Sequence, residues 1–76
     1  MEIHFSDHAL FKIGQRKISI SFVRKVVLSP DMRKPGNYPR EEWYSRFGVR
    51  YLKVVIVREP NKVVVVTAHW VKKAPL

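Results

Sequence analysis

From Glu41 onward the hydropathy alternates with a period of two, and this constrains the fold more than any other feature of the chain. Side chains on a strand point to opposite faces in turn, so such a run reads as strand with one covered face. The pattern predicts strands at about Glu42 to Phe47, Val49 to Arg58 and Lys62 to Trp70. Gly48 suits the first central position of a two-residue type II′ turn. Pro60-Asn61 turns the second hairpin. The Gly48-Val49 turn pairs Phe47 with Arg50, Arg46 with Tyr51, Ser45 with Leu52, Tyr44 with Lys53 and Trp43 with Val54. One face of this hairpin is apolar, the other aromatic and basic.

The second hairpin has two registers. An even loop places Leu52, Val54 and Ile56 with Val65, Thr67 and His69. An odd loop places them with Val64, Val66, Ala68 and Trp70. The odd loop separates polar from apolar, which normally decides register, and it allows Pro60 in a type I turn followed by a bulge. We therefore expect an open face of Tyr44, Arg46, Tyr51, Lys53, Thr67 and His69. The covered face is expected to hold Trp43, Phe47, Leu52, Val54, Ile56, Val64, Val66 and Trp70.

The first half of the chain supplies the cover. Glu2 to Phe5 reads as a short strand. Ser6 is a good N-cap for a helix from Asp7 to Gln15, with Ala9, Leu10 and Ile13 on one face. Ser19 is a second N-cap candidate, followed by a helix over Ile20 to Leu28 with Ile20, Val23, Val26 and Val27 inward. Ser29-Pro30-Asp31 ends it. Met32 to Arg40 carries Lys34-Pro35-Gly36-Asn37 and Pro39, so it is expected to be a basic loop. The tail from Val71 to Leu76 is expected to fray. The predicted architecture is α+β, in the order β-α-α-β-β-β, with two N-terminal helices packed on one face of an antiparallel sheet.

At 76 residues the chain is one domain. Fifteen Lys and Arg against six Asp and Glu give a net charge of +9. Such a charge attracts polyanions, nucleic acid first among them, through counterion release. There is no cysteine, which excludes disulfides and thiolate metal sites. Three histidines, His4, His8 and His69, lack spaced carboxylate partners, so neither a metal nor a cofactor is expected. No apolar run reaches the ~20 residues of a membrane span and no leader is readable, so a cytoplasmic location is expected.

The open face carries a coherent chemistry. Metal-free RNA cleavage needs a base for the 2′-hydroxyl, an acid for the leaving oxygen, and cations for the phosphate. Histidine titrates near 6.5 and can take either proton role. Lysine and arginine supply the clamp, and tyrosine can stack on an unpaired base. His69, Lys53, Arg46, Tyr44 and Tyr51 answer these needs together; a solvated face that only keeps the protein soluble is the plainer alternative. His8, just after the first cap, suits an acid–base group or a half-buried histidine. Arg16 and Lys17 suit the negative end of the first helix.

The run Phe5-Ser6-Asp7-His8-Ala9-Leu10, followed by Arg16-Lys17-Ile18-Ser19, resembles the opening of a family of small proteins of unknown function that is similar to RelE-type toxins. Gly48-Val49-Arg50-Tyr51-Leu52-Lys53-Val54-Val55 and Val63-Val64-Val65-Val66-Thr67-Ala68 resemble that family's closing strands. By position, His8, Arg16, Lys53 and Thr67 match the family's polar residues. The sequence departs from the family at Lys12, often an arginine there, and at Lys17, often a glycine. The resemblance implies the RelE-like fold, broadly shared with barnase-type ribonucleases. It also implies a metal-independent endoribonuclease toxin acting on single-stranded RNA and held in check by an acidic antitoxin. A non-catalytic RNA-binding or protein-interaction module on the same fold is the alternative, as is a sheet edge that pairs with another chain. The candidate catalytic residues are His8, Arg46, Lys53, Thr67 and His69; the candidate RNA contacts are Arg16, Tyr44, Tyr51 and Arg50.

Overall fold

The computed structural model describes residues 2–74. Its elements are β1 (Glu2–Phe5), α1 (Asp7–Gln15), α2 (Ile20–Leu28), β2 (Met32–Pro35), β3 (Arg40–Phe47), β4 (Arg50–Glu59) and β5 (Lys62–Val71). The strands form one sheet in the order β1-β5-β4-β3-β2. All neighbours are antiparallel except β1, which runs parallel to β5. The fold is thus α+β, with one more strand than expected and one parallel edge. Among the described residues no helix is long and apolar enough to cross a membrane.

Local chemistry explains the helix ends. The Ser6 hydroxyl accepts from the Ala9 backbone N–H at 3.0 Å and caps α1. At its far end, Lys17 N–H donates to the Gly14 carbonyl and Ile18 N–H to the Ile13 carbonyl. This is the paired bonding of a Schellman stop, with Lys17 in the left-handed region at φ 56. A side chain there is strained, and glycine would relieve it. Ser19 occupies the N-cap of α2 but caps nothing with its side chain; its hydroxyl meets that of Ser21 instead.

The core lies between the helices and the sheet. Ala9, Ile13, Ile18, Val23, Val26 and Val27 meet Trp43, Leu52, Val54, Ile56, Val63, Val65 and Ala68. Leu10 and Ile20, expected inward, are exposed. Phe47 and Trp70 pack at the margin, where Phe22 stacks on Phe47 with ring centroids 4.5 Å apart.

The segment expected as the loop Met32 to Arg40 contains β2. Asp31 N–H donates to the Tyr44 carbonyl at 2.8 Å, and Asp31 Oδ2 accepts from Arg46 N–H at 2.8 Å. These two bonds lay Met32 to Pro35 against β3. Charge and proline hid this strand because it sits at the sheet edge, where neither is penalised.

The first hairpin has the expected register in all five pairs, with Gly48 at φ 67 in its turn. The second does not. Glu59 pairs with Lys62, so the loop is even, and Val63 and Val65 face the core in place of Val64 and Val66. The register then shifts between Val55 and Ile56: Val65 pairs with Ile56 and Thr67 with Val55, leaving Val66 as the extra residue of a bulge. Past the bulge Ala68 and Trp70 face the helices, while Thr67 and His69 face out, as expected. Four consecutive valines carry no alternation, so the sequence could not show where the extra residue falls. Val71, expected in the tail, is the last residue of β5 and pairs with Tyr51. Residues 75 and 76 lie outside the described residues.

This register makes a direct prediction. Val65→Thr buries a hydroxyl against the core and should lower unfolding free energy by about 1–3 kcal/mol. Val64→Thr, half-buried on the other face, should stay within roughly 0.5 kcal/mol of wild type. Urea midpoints for the two variants check this, and the opposite ranking would contradict the bulge.

Candidate functional site

The uncovered face of the sheet is ordered in rows by strand pairing. Met32, Tyr44, Lys53 and His69 lie abreast on β2, β3, β4 and β5. The next row holds Lys34, Glu42, Val55 and Thr67, and on the other side lie Arg46, Tyr51 and Val71. Directly opposed residues have Cβ atoms about 5 Å apart, so Lys53 and His69 are immediate neighbours.

Glu42 organises this face. Its carboxylate accepts from the Tyr44 hydroxyl at 3.0 Å and lies 3.5 Å from Lys53 Nζ and 3.9 Å from Lys34 Nζ. A hydrogen bond to a charged group is worth about 1.5–3 kcal/mol, against 0–1 for an exposed ion pair. The phenol therefore fixes the carboxylate, and the lysines follow it. Burial, then the hydrogen bond and charge of Glu42, push the Tyr44 hydroxyl up to about 12, so it stays a donor at neutral pH.

Arg16 reaches the face from the end of α1. β1 ends opposite Val65, leaving the outer edge of β5 unpaired by strand beyond that point. Arg16 Nη1 fills part of this gap, donating to the Ala68 carbonyl at 2.9 Å and to Thr67 Oγ1 at 3.3 Å. One guanidinium thus satisfies a carbonyl at the sheet edge and brings positive charge beside His69. Burial first, then the charges of Lys53 and Arg16, lower the His69 pKa from its ordinary value, with Glu42 opposing. His69 is accordingly a neutral imidazole at pH 7, able to accept a proton, with cations on two sides.

The structure brings together four of the nine expected site residues: Arg16, Lys53, Thr67 and His69. Arg46 and Tyr51 are one row away on the same face; the Arg46 side chain is turned to the Gly48 carbonyl at 2.8 Å. Tyr44 lies in the central row but is only 4% exposed. Its ring supports Glu42 and offers no surface for a base. Arg50 belongs to the helix side, 4.2 Å over the Trp70 ring. His8 is exposed on α1, eight residues and roughly 12 Å of helix rise from Arg16, and has no polar partner among the described residues. Glu42 was missed from sequence, although its place two residues before Tyr44 puts it on the open face by the same alternation. Lys34 was missed because its strand was. Among the described residues no three His, Asp or Glu side chains come together as a metal site.

The electrostatic account predicts how His69 titrates. Its imidazole pKa, followed by NMR, should lie below 6.5. Lys53→Met should raise it by removing a neighbouring cation, and Glu42→Gln should lower it by removing the opposing carboxylate. A His69 pKa that ignores both substitutions would contradict the cluster.

Residues 5–70 match the family described as Domain of unknown function (DUF4258). No curated protein and no solved structure matches the chain. The family match runs from the last residue of β1 to Trp70 in β5, taking in both helices and the whole open face. The chain belongs to the DUF4258 family.

Proposed function

We propose that the protein is a RelE-like endoribonuclease of the toxin type, which cuts single-stranded RNA in the cytoplasm with its own side chains and without a metal. The observation that carries this reading is His69 abreast of Lys53 on the open face, with Arg16 anchored at Thr67. In this mechanism the His69 imidazole takes the proton of a 2′-hydroxyl. The 2′-oxygen attacks the adjacent phosphorus, and the bond from phosphorus to the 5′-oxygen breaks. The Lys53 ammonium supplies the leaving oxygen with a proton. The products are a 2′,3′-cyclic phosphate and a 5′-hydroxyl, so atoms and protons balance. Arg16 and the Lys53 charge stabilise the phosphate as negative charge builds on it. Glu42 positions the lysine. Tyr51, half-buried one row away, offers a ring to an unpaired base, and Arg46 a charge to a flanking phosphate. An acidic antitoxin segment laid across this face would neutralise the same cations.

One observation favours a second reading, RNA binding without cleavage. His69 is the single imidazole of the cluster, since His8 lies apart on α1. Shared fold is weak ground for a shared reaction, so the two readings must be separated by experiment.

Cleavage of single-stranded oligoribonucleotides should proceed equally with and without chelator and yield cyclic-phosphate ends. His69→Ala should slow it by about 10²- to 10⁴-fold, and Lys53→Ala should slow it as well. Unchanged cleavage in both variants would refute the site. No cleavage by wild type, with binding that weakens steeply as salt rises, would assign the second reading.

A further inference from the structure

A second basic feature lies beside this face and has no part in the chemistry above. The β2–β3 turn folds over a cleft of about 720 Å³. Its lining holds four cations, Arg33, Lys34, Arg40 and Arg58, against one carboxylate, Glu41. That carboxylate is already occupied. It accepts from Arg58 Nε at 2.6 Å and from Trp43 Nε1 at 3.0 Å. Arg33 stacks on the Trp43 ring at 4.3 Å, which fixes its guanidinium without neutralising it. Arg40 has no ion pair among the described residues.

Tyr38 belongs to the same cleft and is 97% exposed. Burial does not account for an aromatic ring left in water on the wall of a cationic cleft. The turn that carries it is tightly built: Gly36 N–H donates to the Arg40 carbonyl at 3.0 Å, and Arg40 N–H to the Asn37 carbonyl at 2.9 Å. A Cβ at Gly36 would stand 3.2 Å from that Arg40 oxygen, so the close approach favours glycine. Proline rings at Pro35 and Pro39 stiffen both sides of the turn. The ring is therefore held out on a shaped loop.

The cleft wraps the sheet edge: Arg33, Glu41 and Arg58 share the helix-side face with Trp43, while Lys34 and Arg40 share the open face with Glu42 and Tyr44. Lys34 lines it and also faces Glu42, the carboxylate that holds Lys53. Arg40 lies on the same strand as Tyr44, four residues away, or roughly 14 Å at strand spacing. We propose that the open-face side of this cleft is a second RNA subsite, in which Lys34 and Arg40 hold a backbone phosphate and Tyr38 stacks on an unpaired base of the strand whose reacting phosphate lies at His69 and Lys53. The inference rests on the RNA reading of the open face and adds to it a binding register: the substrate must extend past Lys34 to be held fully. A stacking ring beside cations suits a nucleotide better than an acidic peptide, which needs the charges alone.

Fluorescence anisotropy with a dinucleotide and with a longer single-stranded oligoribonucleotide tests this. Tyr38→Ala should weaken the longer RNA by about 5- to 100-fold, the range expected for one base–aromatic stack. Arg40→Glu should weaken it at least as much. Both should leave the dinucleotide, which reaches only the central row, within twofold of wild type. Lys53→Glu should weaken both ligands. If Lys53→Glu weakens binding while Tyr38→Ala and Arg40→Glu leave the longer RNA unaffected, the subsite is overturned and the open face stands. If no variant changes either ligand, both fall. Polyglutamate that loses affinity in Arg40→Glu, with RNA affinity unchanged, would overturn the subsite in favour of an acidic protein partner. Tyr38 and Arg40 are both exposed, so their replacement should leave the fold intact.

Discussion

The ladder between β4 and β5, with its one extra residue at Val66, is the constraint on which the rest of the structure depends. Both strands are central in the sheet, and β5 supplies core residues on both sides of the bulge: Val63 and Val65 before it, Ala68 after it. Without the extra residue an even loop would carry Ala68 and Trp70 to the open face and turn Thr67 and His69 under the helices. The bulge lets a tight Pro60-Asn61 loop coexist with a buried Ala68 and an outward His69. It costs a break in the ladder, which falls where four valines tolerate either facing. The same residues that close the core therefore set the imidazole beside Lys53.

Around that imidazole the charges are arranged by neighbours that are themselves fixed. Tyr44 is buried and keeps its proton, so its hydroxyl holds Glu42 in one place. Glu42 then holds Lys53, while Arg16 is held by the carbonyl that β1 leaves unpaired on β5. Both anchored cations lie close enough to His69 for their charges to lower its pKa. A site assembled on strands and a helix end in this way is more rigid than one carried on loops. The basic turn between β2 and β3 extends the positive surface along one direction, from His69 through Lys53 and Lys34 to Arg40.

Much of this was legible in the sequence, for definite reasons. Gly48 with a two-residue turn fixes one register, and the alternation of Trp43, Ser45 and Phe47 with Tyr44 and Arg46 fixes the facing. The caps at Ser6 and the apolar spacing of Val23, Val26 and Val27 gave the helices. Legibility failed where alternation failed. The run Val63 to Val66 is apolar on both parities, so the bulge was invisible. β2 is an edge strand with charges and a proline, held by Asp31 rather than by its own hydropathy. Glu42 was overlooked because one of two adjacent glutamates in a basic chain reads as solubility until its three partners converge on it. Tyr44 was expected to stack on bases, and only burial showed that its ring is a support. Arg50 sits after the turn on the helix side, where its guanidinium covers Trp70.

The central claim is that one face of the sheet, organised by the bulge and by Glu42, meets RNA. Backbone amide shifts, followed by NMR during titration with a single-stranded oligoribonucleotide, test it most directly. The account predicts that the largest changes fall on Lys53, Thr67 and His69 and spread toward Lys34 and Arg40. Changes concentrated instead on the helix side, at Phe22, Lys25 and Arg50, would contradict it.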